Sequence, residues 1–215
     1  MSAEQNRMPA GIPYIIANEF AERFCYYGIN AILAIYMTQF LHFGQARATG
    51  WQSLFKAGAY FAPLIGAVVS DMLWGKYRTI LVFSLFYVAG CAVLALGPGT
   101  PATLAVGLAV VALGTGGIKP CVSTNVGDQF TSRNQHLIER AFSYFYLSIN
   151  AGSSLSILLC PLLLSRLGPK AAFSLPAFMM LVATLVFWLG RKRFVVVPPA
   201  GSQWLRDVFS AEGCA

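Results

Sequence analysis

The chain has 215 residues, of which 57% are hydrophobic and 11% charged, and its mean hydropathy is +0.63. A soluble domain carries about 25% charge, so this composition excludes an ordinary water-soluble globule and points to an integral membrane protein. In that setting the net charge of +7 reflects anchoring at a cytoplasmic surface, and no nucleic-acid partner is expected.

Residues 1–12 are polar or mixed and lack the basic-then-apolar order of a cleavable signal peptide, so they are read as a cytoplasmic N-terminus. Six segments then approach the roughly 20 apolar residues that a spanning helix needs. They are Pro13–Leu41, Thr49–Leu73, Tyr77–Leu96, Ala102–Val122, Arg140–Leu164 and Ala172–Gly190. Turn chemistry separates them at His42-Phe43-Gly44, Gly75-Lys76, Gly97-Pro98-Gly99, Gly127-Asp128 and Gly168-Pro169. The expectation is an all-α membrane protein with a six-helix transmembrane bundle over 13–190 and a cytoplasmic tail over 191–215. Basic residues set its direction. Arg7, Lys76, Arg78, Arg133, Arg140, Arg191, Lys192, Arg193 and Arg206 fall on one side, against Arg47, Arg166 and Lys170 on the other, which puts both termini in the cytoplasm. Lys56, two turns into the second span, can snorkel outward.

The first span carries Glu19, Glu22 and Arg23 within five positions. An uncompensated charge at bilayer depth costs roughly 3 kcal/mol or more on insertion scales. On a helix these three side chains share one side, where they can pair. That side should face a polar cavity or another helix. The fourth span ends on the same side of the membrane and carries Lys119 just before Pro120, at a depth that lets it meet the two carboxylates. About 10 Å further up lie Tyr26, Tyr27 and Asn30, with Tyr60 and Asn150 near mid-membrane on the second and fifth spans. The pattern is a charged floor beneath a Tyr/Asn layer, as a solute pathway with titratable walls would require. A static ion-pair lock is the plainer alternative, but a lock needs one pair, not two carboxylates and two cations. Aromatic packing or an interface belt is the plainer alternative for the tyrosines, and an interhelical hydrogen bond for Asn150.

Other features read as structural. Ala62…Gly66 and Ala112…Gly116 are small-xxx-small pairs that let helices approach closely. Gly114-Thr115-Gly116 lies inside a span and is no phosphate loop. Asp71, at the end of the second span, can latch to Lys76 or Arg78 across the following turn. Cys25, Cys91, Cys121, Cys160 and Cys214 form no CxxC pair and read as buried thiols, and His42 and His136 lie outside the spans, so no metal site is expected.

Four stretches together resemble the proton-dependent oligopeptide transporter (POT, or PTR) family of the major facilitator superfamily. Glu19-Phe20-Ala21-Glu22-Arg23-Phe24-Cys25-Tyr26-Tyr27 resembles the ExxERFxYY motif, and Gly66 to Thr79 resembles the superfamily's GxxxD…G(R/K)xR turn. Gly116-Gly117-Ile118-Lys119-Pro120-Cys121-Val122-Ser123 through Gly127-Asp128-Gln129-Phe130 resembles GGxKPxVS…GDQF. Phe145-Tyr146-Leu147-Ser148-Ile149-Asn150-Ala151-Gly152-Ser153 resembles FYxSINxGS.

The resemblance implies the N-terminal bundle of a major facilitator fold and proton-coupled symport of di- and tripeptides. The protein would not be an enzyme, and the proton would be the coupling ion in place of any cofactor. It makes Glu19, Glu22, Arg23 and Lys119 the proton-coupling set, and it lines the peptide site with Tyr26, Tyr27, Asn30, Tyr60 and Asn150. Asp71, Lys76, Arg78 and Asp128 become turn and gating residues. Many peptide-transporting relatives carry Arg where this chain has Asn30, which leaves another small solute, such as nitrate or a glycoside, as the alternative cargo. The family has twelve or more spans in two halves, so the expected partners include the lipid bilayer and a C-terminal six-helix half that is missing here. Ser202 to Ser210 resembles the start of the connection to it. A truncated or split gene is the expectation, with a non-transporting fragment or interaction protein as the other alternative. The expected location is the cell membrane, plasma or inner.

Overall fold

Residues 7–97 and 99–199 are described by a computed structural model, in which the regular elements are all helical. α1 (Ile12–Gln39), α2 (Gln45–Val69), α3 (Gly75–Leu96), α4 (Pro101–Asp128), α5 (Ile138–Leu167) and α6 (Pro169–Leu189) form the bundle. Four helical runs are long and apolar enough to cross a membrane: Gln45–Leu96, Pro101–Asp128, Gln135–Leu167 and Pro169–Lys192. The first of these contains both α2 and α3, joined through a π-helical turn at Ser70–Trp74. α1 is not among the four. It carries Asn18, Glu19, Glu22, Arg23 and Asn30 among its apolar residues, and Asn18, Glu19 and Glu22 are buried.

The helix boundaries have local causes. Thr100 caps α4, its hydroxyl accepting from the Thr103 N–H at 3.2 Å, and Pro101 occupies the first turn where no N–H is needed. Gly168, at φ +84°, takes the left-handed conformation that ends α5, and Pro169 starts α6. Gly75, at φ +74°, does the same between the π turn and α3.

Two expected boundaries are corrected. α2 begins four residues before Thr49, and the last residues of the expected second span are the π turn. α4 runs six residues past Val122, so Gly127-Asp128 closes a helix and does not break one. Nothing in Ser123–Asp128 demands a positive φ, and the Thr124 hydroxyl donates back to the Pro120 carbonyl at 2.9 Å, so the helix continues at little cost.

α4 packs against α2 on one side and α3 on another, and α1 packs against α5 and α6. The α2–α4 contact is built from the small residues. A Cβ on Gly66 would run into the Gly116 carbonyl, and one on Gly116 into Ala62. A Cβ on Gly114 would meet the Tyr87 backbone of α3 at 2.7 Å. The glycines therefore let one helix touch two neighbours at backbone distance.

At one end of the bundle the start of α1, the α2–α3 turn, the end of α4 and the segment after α6 meet. Phe194 packs among Tyr14, Tyr77 and Phe187, with ring centroids 4.8–6.2 Å apart. Gln129 holds Val195 by two bonds: its Oε1 accepts the Val195 N–H at 2.9 Å, and its Nε2 donates to the Val195 carbonyl at 3.2 Å. Lys76, Arg191, Lys192 and Arg193 belong to this same end. Cys25, Cys91, Cys121 and Cys160 are buried and unbridged. Cys214, Arg206 and the Ser202–Ser210 stretch lie outside the described residues.

Candidate functional site

The helical repeat of α1 brings Glu19, Glu22 and Arg23 to one side, and that side is turned inward. Glu19 is 1% exposed and Glu22 0%. Arg23 Nε donates to Glu19 Oε1 at 2.6 Å and lies 3.2 Å from Glu22 Oε2. The other Glu22 oxygen, Oε1, accepts a short hydrogen bond from the Thr115 hydroxyl of α4. Two buried carboxylates thus share one guanidinium. With both ionised, the cluster is one positive charge short of neutrality, and burial makes that shortfall costly. A proton on either carboxylate, or a second cation close by, would cancel it.

Lys119 does not supply that cation by direct contact. Among the described residues no carboxylate oxygen lies within 4.0 Å of its Nζ. The ammonium sits over two rings instead, 4.1 Å from the centroid of Tyr26 and 5.4 Å from that of Tyr60. The expected direct ion pair is therefore corrected to a cation–π clasp. The cause lies in the packing. The glycines of α4 serve its contacts with α2 and α3, and Tyr26, one turn beyond Glu22 on α1, offers its ring face to the ammonium. Thr115, one turn before Lys119, is the α4 side chain that reaches Glu22. Sequence reasoning passed over Thr115 as part of a glycine-rich packing stretch. Its one signal was a hydroxyl one helical turn from the Lys119 cation.

The Tyr/Asn layer is only partly assembled. Tyr26, 6% exposed, packs edge-on to Tyr27 at 5.4 Å and beside Phe55 at 6.0 Å. Tyr60 is 72% exposed, so the clasp over Lys119 is open on one side. The Asn30 amide donates to the Tyr26 carbonyl on its own helix at 2.9 Å, while Gln52 Nε2 of α2 donates to the Asn30 backbone carbonyl at 3.0 Å. Asn150 is exposed on α5, and its amide donates to the Tyr146 carbonyl of the same helix at 3.0 Å.

At the end of the bundle Lys76 Nζ meets Asp128 Oδ2 at 2.6 Å and ties the start of α3 to the end of α4. The expected latch from Asp71 to Lys76 or Arg78 is corrected, since among the described residues neither Asp71 nor Arg78 has an ion-pair partner. The π turn and the positive φ of Gly75 carry the chain around before Lys76, which then faces the C-terminus of α4. A cation is favoured there by the helix dipole as well as by Asp128. Among the described residues no three His, Cys, Asp or Glu side chains converge as a metal site.

The POT family profile matches residues 77–212. Human solute carrier family 15 member 2 is 40% identical over 209 residues, covering 90% of this chain and 28% of the relative. Peptide transporter family 1 of Drosophila melanogaster is 40% identical over 220 residues, covering 96% of this chain and 29% of the relative. The crystal structure of the POT family transporter PepTSo superposes with a TM-score of 0.86 at 44% identity, covering 90% of this chain and 39% of that one. The chain thus spans less than a third of the length of these curated relatives.

Proposed function

The chain belongs to the POT family of membrane transporters, and from that premise we propose that it forms the N-terminal half of a proton-coupled symporter of di- and tripeptides. In this reading α1–α6 all cross the membrane as one bundle of a major facilitator fold. Both termini face the cytoplasm, and the protein resides in the cell membrane. A second six-helix half closes the solute site. The relatives are transporters, and no covalent chemistry is assigned to this chain.

The observation that carries the coupling role is the buried pair of carboxylates on one guanidinium. A proton taken up by Glu19 or Glu22 removes the charge shortfall and loosens the hold on Arg23. Release of that proton restores both. Such a change alters which helix contacts are favoured, and a coupled carrier depends on that. Lys119, held by rings and not by carboxylates, stands beside the exposed Tyr60 and near Tyr27, where an anionic end of a peptide can reach it. Asn30 and Asn150 are assigned to the walls of the same site.

Another small anion such as nitrate is the rival cargo. The observation behind it is Asn30, whose amide is turned to its own helix and adds no second cation for a peptide carboxylate, whereas a small anion can be held by the Lys119 ammonium alone. Uptake of labelled dialanine against labelled nitrate into proteoliposomes, with this half joined to a second half and an inward proton gradient imposed, tests the two. Dialanine accumulation that collapses with a protonophore is the expected result. Nitrate accumulation without dialanine uptake overturns the peptide reading. The 215-residue chain alone should give no accumulation, since one bundle cannot alternate about a site between two.

A further inference from the structure

An apolar groove of about 690 Å³ runs between α1, α5 and α6, on the far side of the bundle from the α2–α4 contact. Small residues Ala17, Ala151 and Ala183 alternate in its lining with the larger Phe20, Leu147 and Val182. We propose that this groove holds one acyl chain of an anionic phospholipid from the surrounding leaflet, with the lipid phosphate on Arg140.

The dimensions fit one leaflet. The lining on α1 runs from Ile12 to Ala21, a rise of about 14 Å at 1.5 Å per residue. Half of a hydrocarbon core of about 30 Å is nearly the same length. On α5 and α6 the lining is confined to Tyr144–Ala151 and Met179–Val186, the halves of those helices at the same end of the bundle. The groove therefore starts at one membrane surface and stops near the midplane. The face of α5 that carries Tyr146 and Asn150 is turned roughly 100–150° away from it. A second half that closes on the solute site leaves the groove facing lipid.

Charge selects the headgroup. Tyr144 lines the groove, and its hydroxyl accepts from Arg140 Nε at 3.1 Å. That bond uses one of the five guanidinium N–H donors and holds the rest at the mouth of the groove. Arg7 precedes the groove-lining Met8, and Arg191, Lys192 and Arg193 follow α6 at the same end. Glu139 precedes Arg140 on α5, and Asp128 at the same end of the bundle is already paired with Lys76. Phosphate is the natural bidentate partner of an arginine so placed. The inference rests on membrane embedding and would survive a change of transported solute.

Native mass spectrometry of the chain in detergent, with equal amounts of palmitoyl-oleoyl phosphatidylglycerol and phosphatidylcholine, tests it. The expected result is one saturable site that retains phosphatidylglycerol about fivefold over phosphatidylcholine. Arg140→Gln should reduce that ratio to about one while keeping the acyl site. Ala151→Trp, or Ala17→Leu if the first variant loses helicity by circular dichroism, should lose both lipids. Equal retention of the two lipids by the wild-type chain overturns the proposal. So does undiminished phosphatidylglycerol binding by a folded variant with the groove filled.

Discussion

The two ion-pair regions of this molecule use the same chemistry under opposite conditions. Lys76 and Asp128 are one cation and one anion, with side chains 23% and 21% exposed. Glu19, Glu22 and Arg23 are two anions and one cation, and both carboxylates are almost fully enclosed. The first pair is balanced and partly wet, so its formation asks little of the surrounding structure. The second is unbalanced and dry, so its energy depends on whether a proton is present. Position along the helices follows the same division, because the balanced pair joins helix ends while the unbalanced cluster sits inside the bundle. A tie between helices needs only the first kind of site. Coupling to a proton needs the second.

The sharpest way to break this contrast is to remove the one cation of the dry site. Arg23→Met leaves two buried carboxylates without a counter-ion, and breaking a buried pair this way costs about 3–5 kcal/mol. Thermal unfolding of the chain in detergent should shift down by many degrees, with transport by the completed protein lost. Normal stability would mean that water or another cation already compensates the carboxylates.

A smaller structural effect but a decisive functional one is expected for Glu22→Gln. The amide still accepts from Thr115 and no longer titrates. Proton-driven accumulation should vanish while exchange of solute across the membrane persists. Accumulation at the wild-type level would remove Glu22 from coupling.

Lys119 separates two kinds of cation site. If its work is electrostatic, Lys119→Arg keeps the charge over Tyr26 and Tyr60 and should keep substantial uptake, whereas Lys119→Ala should lose it. Because no carboxylate touches the ammonium, Lys119→Ala should lose much less stability than Arg23→Met. A stability loss as large as that of Arg23→Met would show that Lys119 belongs to the dry ion cluster after all.

Much of this architecture is legible along the chain, and the limits of legibility are physical. The Glu19/Glu22/Arg23 cluster could be read because its members lie on one helix, where spacing dictates proximity. The small residues at Ala62, Gly66 and Gly116 announced a close helix contact for the same reason, since a stripe of small side chains has few other uses in a span. What could not be read was the partner across a helix interface. Lys119 and Glu22 lie at similar depth, but depth does not say which face of α4 meets α1. Rotation of α4 is decided by glycine contacts to α2 and α3, and it brings Thr115 to Glu22 while leaving Lys119 to the rings. The pairing of Lys76 with Asp128 spans 52 positions, whereas Asp71 is only five positions from Lys76 along the chain. The π turn that makes the nearer residue the wrong one has no simple sequence signature.

The smallest effect is expected at the balanced pair, and it tests the contrast from the other side. Lys76→Ala removes a contact that is partly exposed, and such pairs contribute about 0–1 kcal/mol. Asp128 keeps water as a partner when the ammonium is gone, so no stranded buried charge remains. The unfolding temperature of the chain in detergent should move by no more than a few degrees, far less than for Arg23→Met. High salt should narrow the gap between Lys76→Ala and wild type further, because exposed charges are screened and enclosed ones are not. Salt should leave the Arg23→Met deficit in place. If the two variants respond to salt alike, the difference in burial does not govern their energetics, and the division between a tie and a coupling site fails.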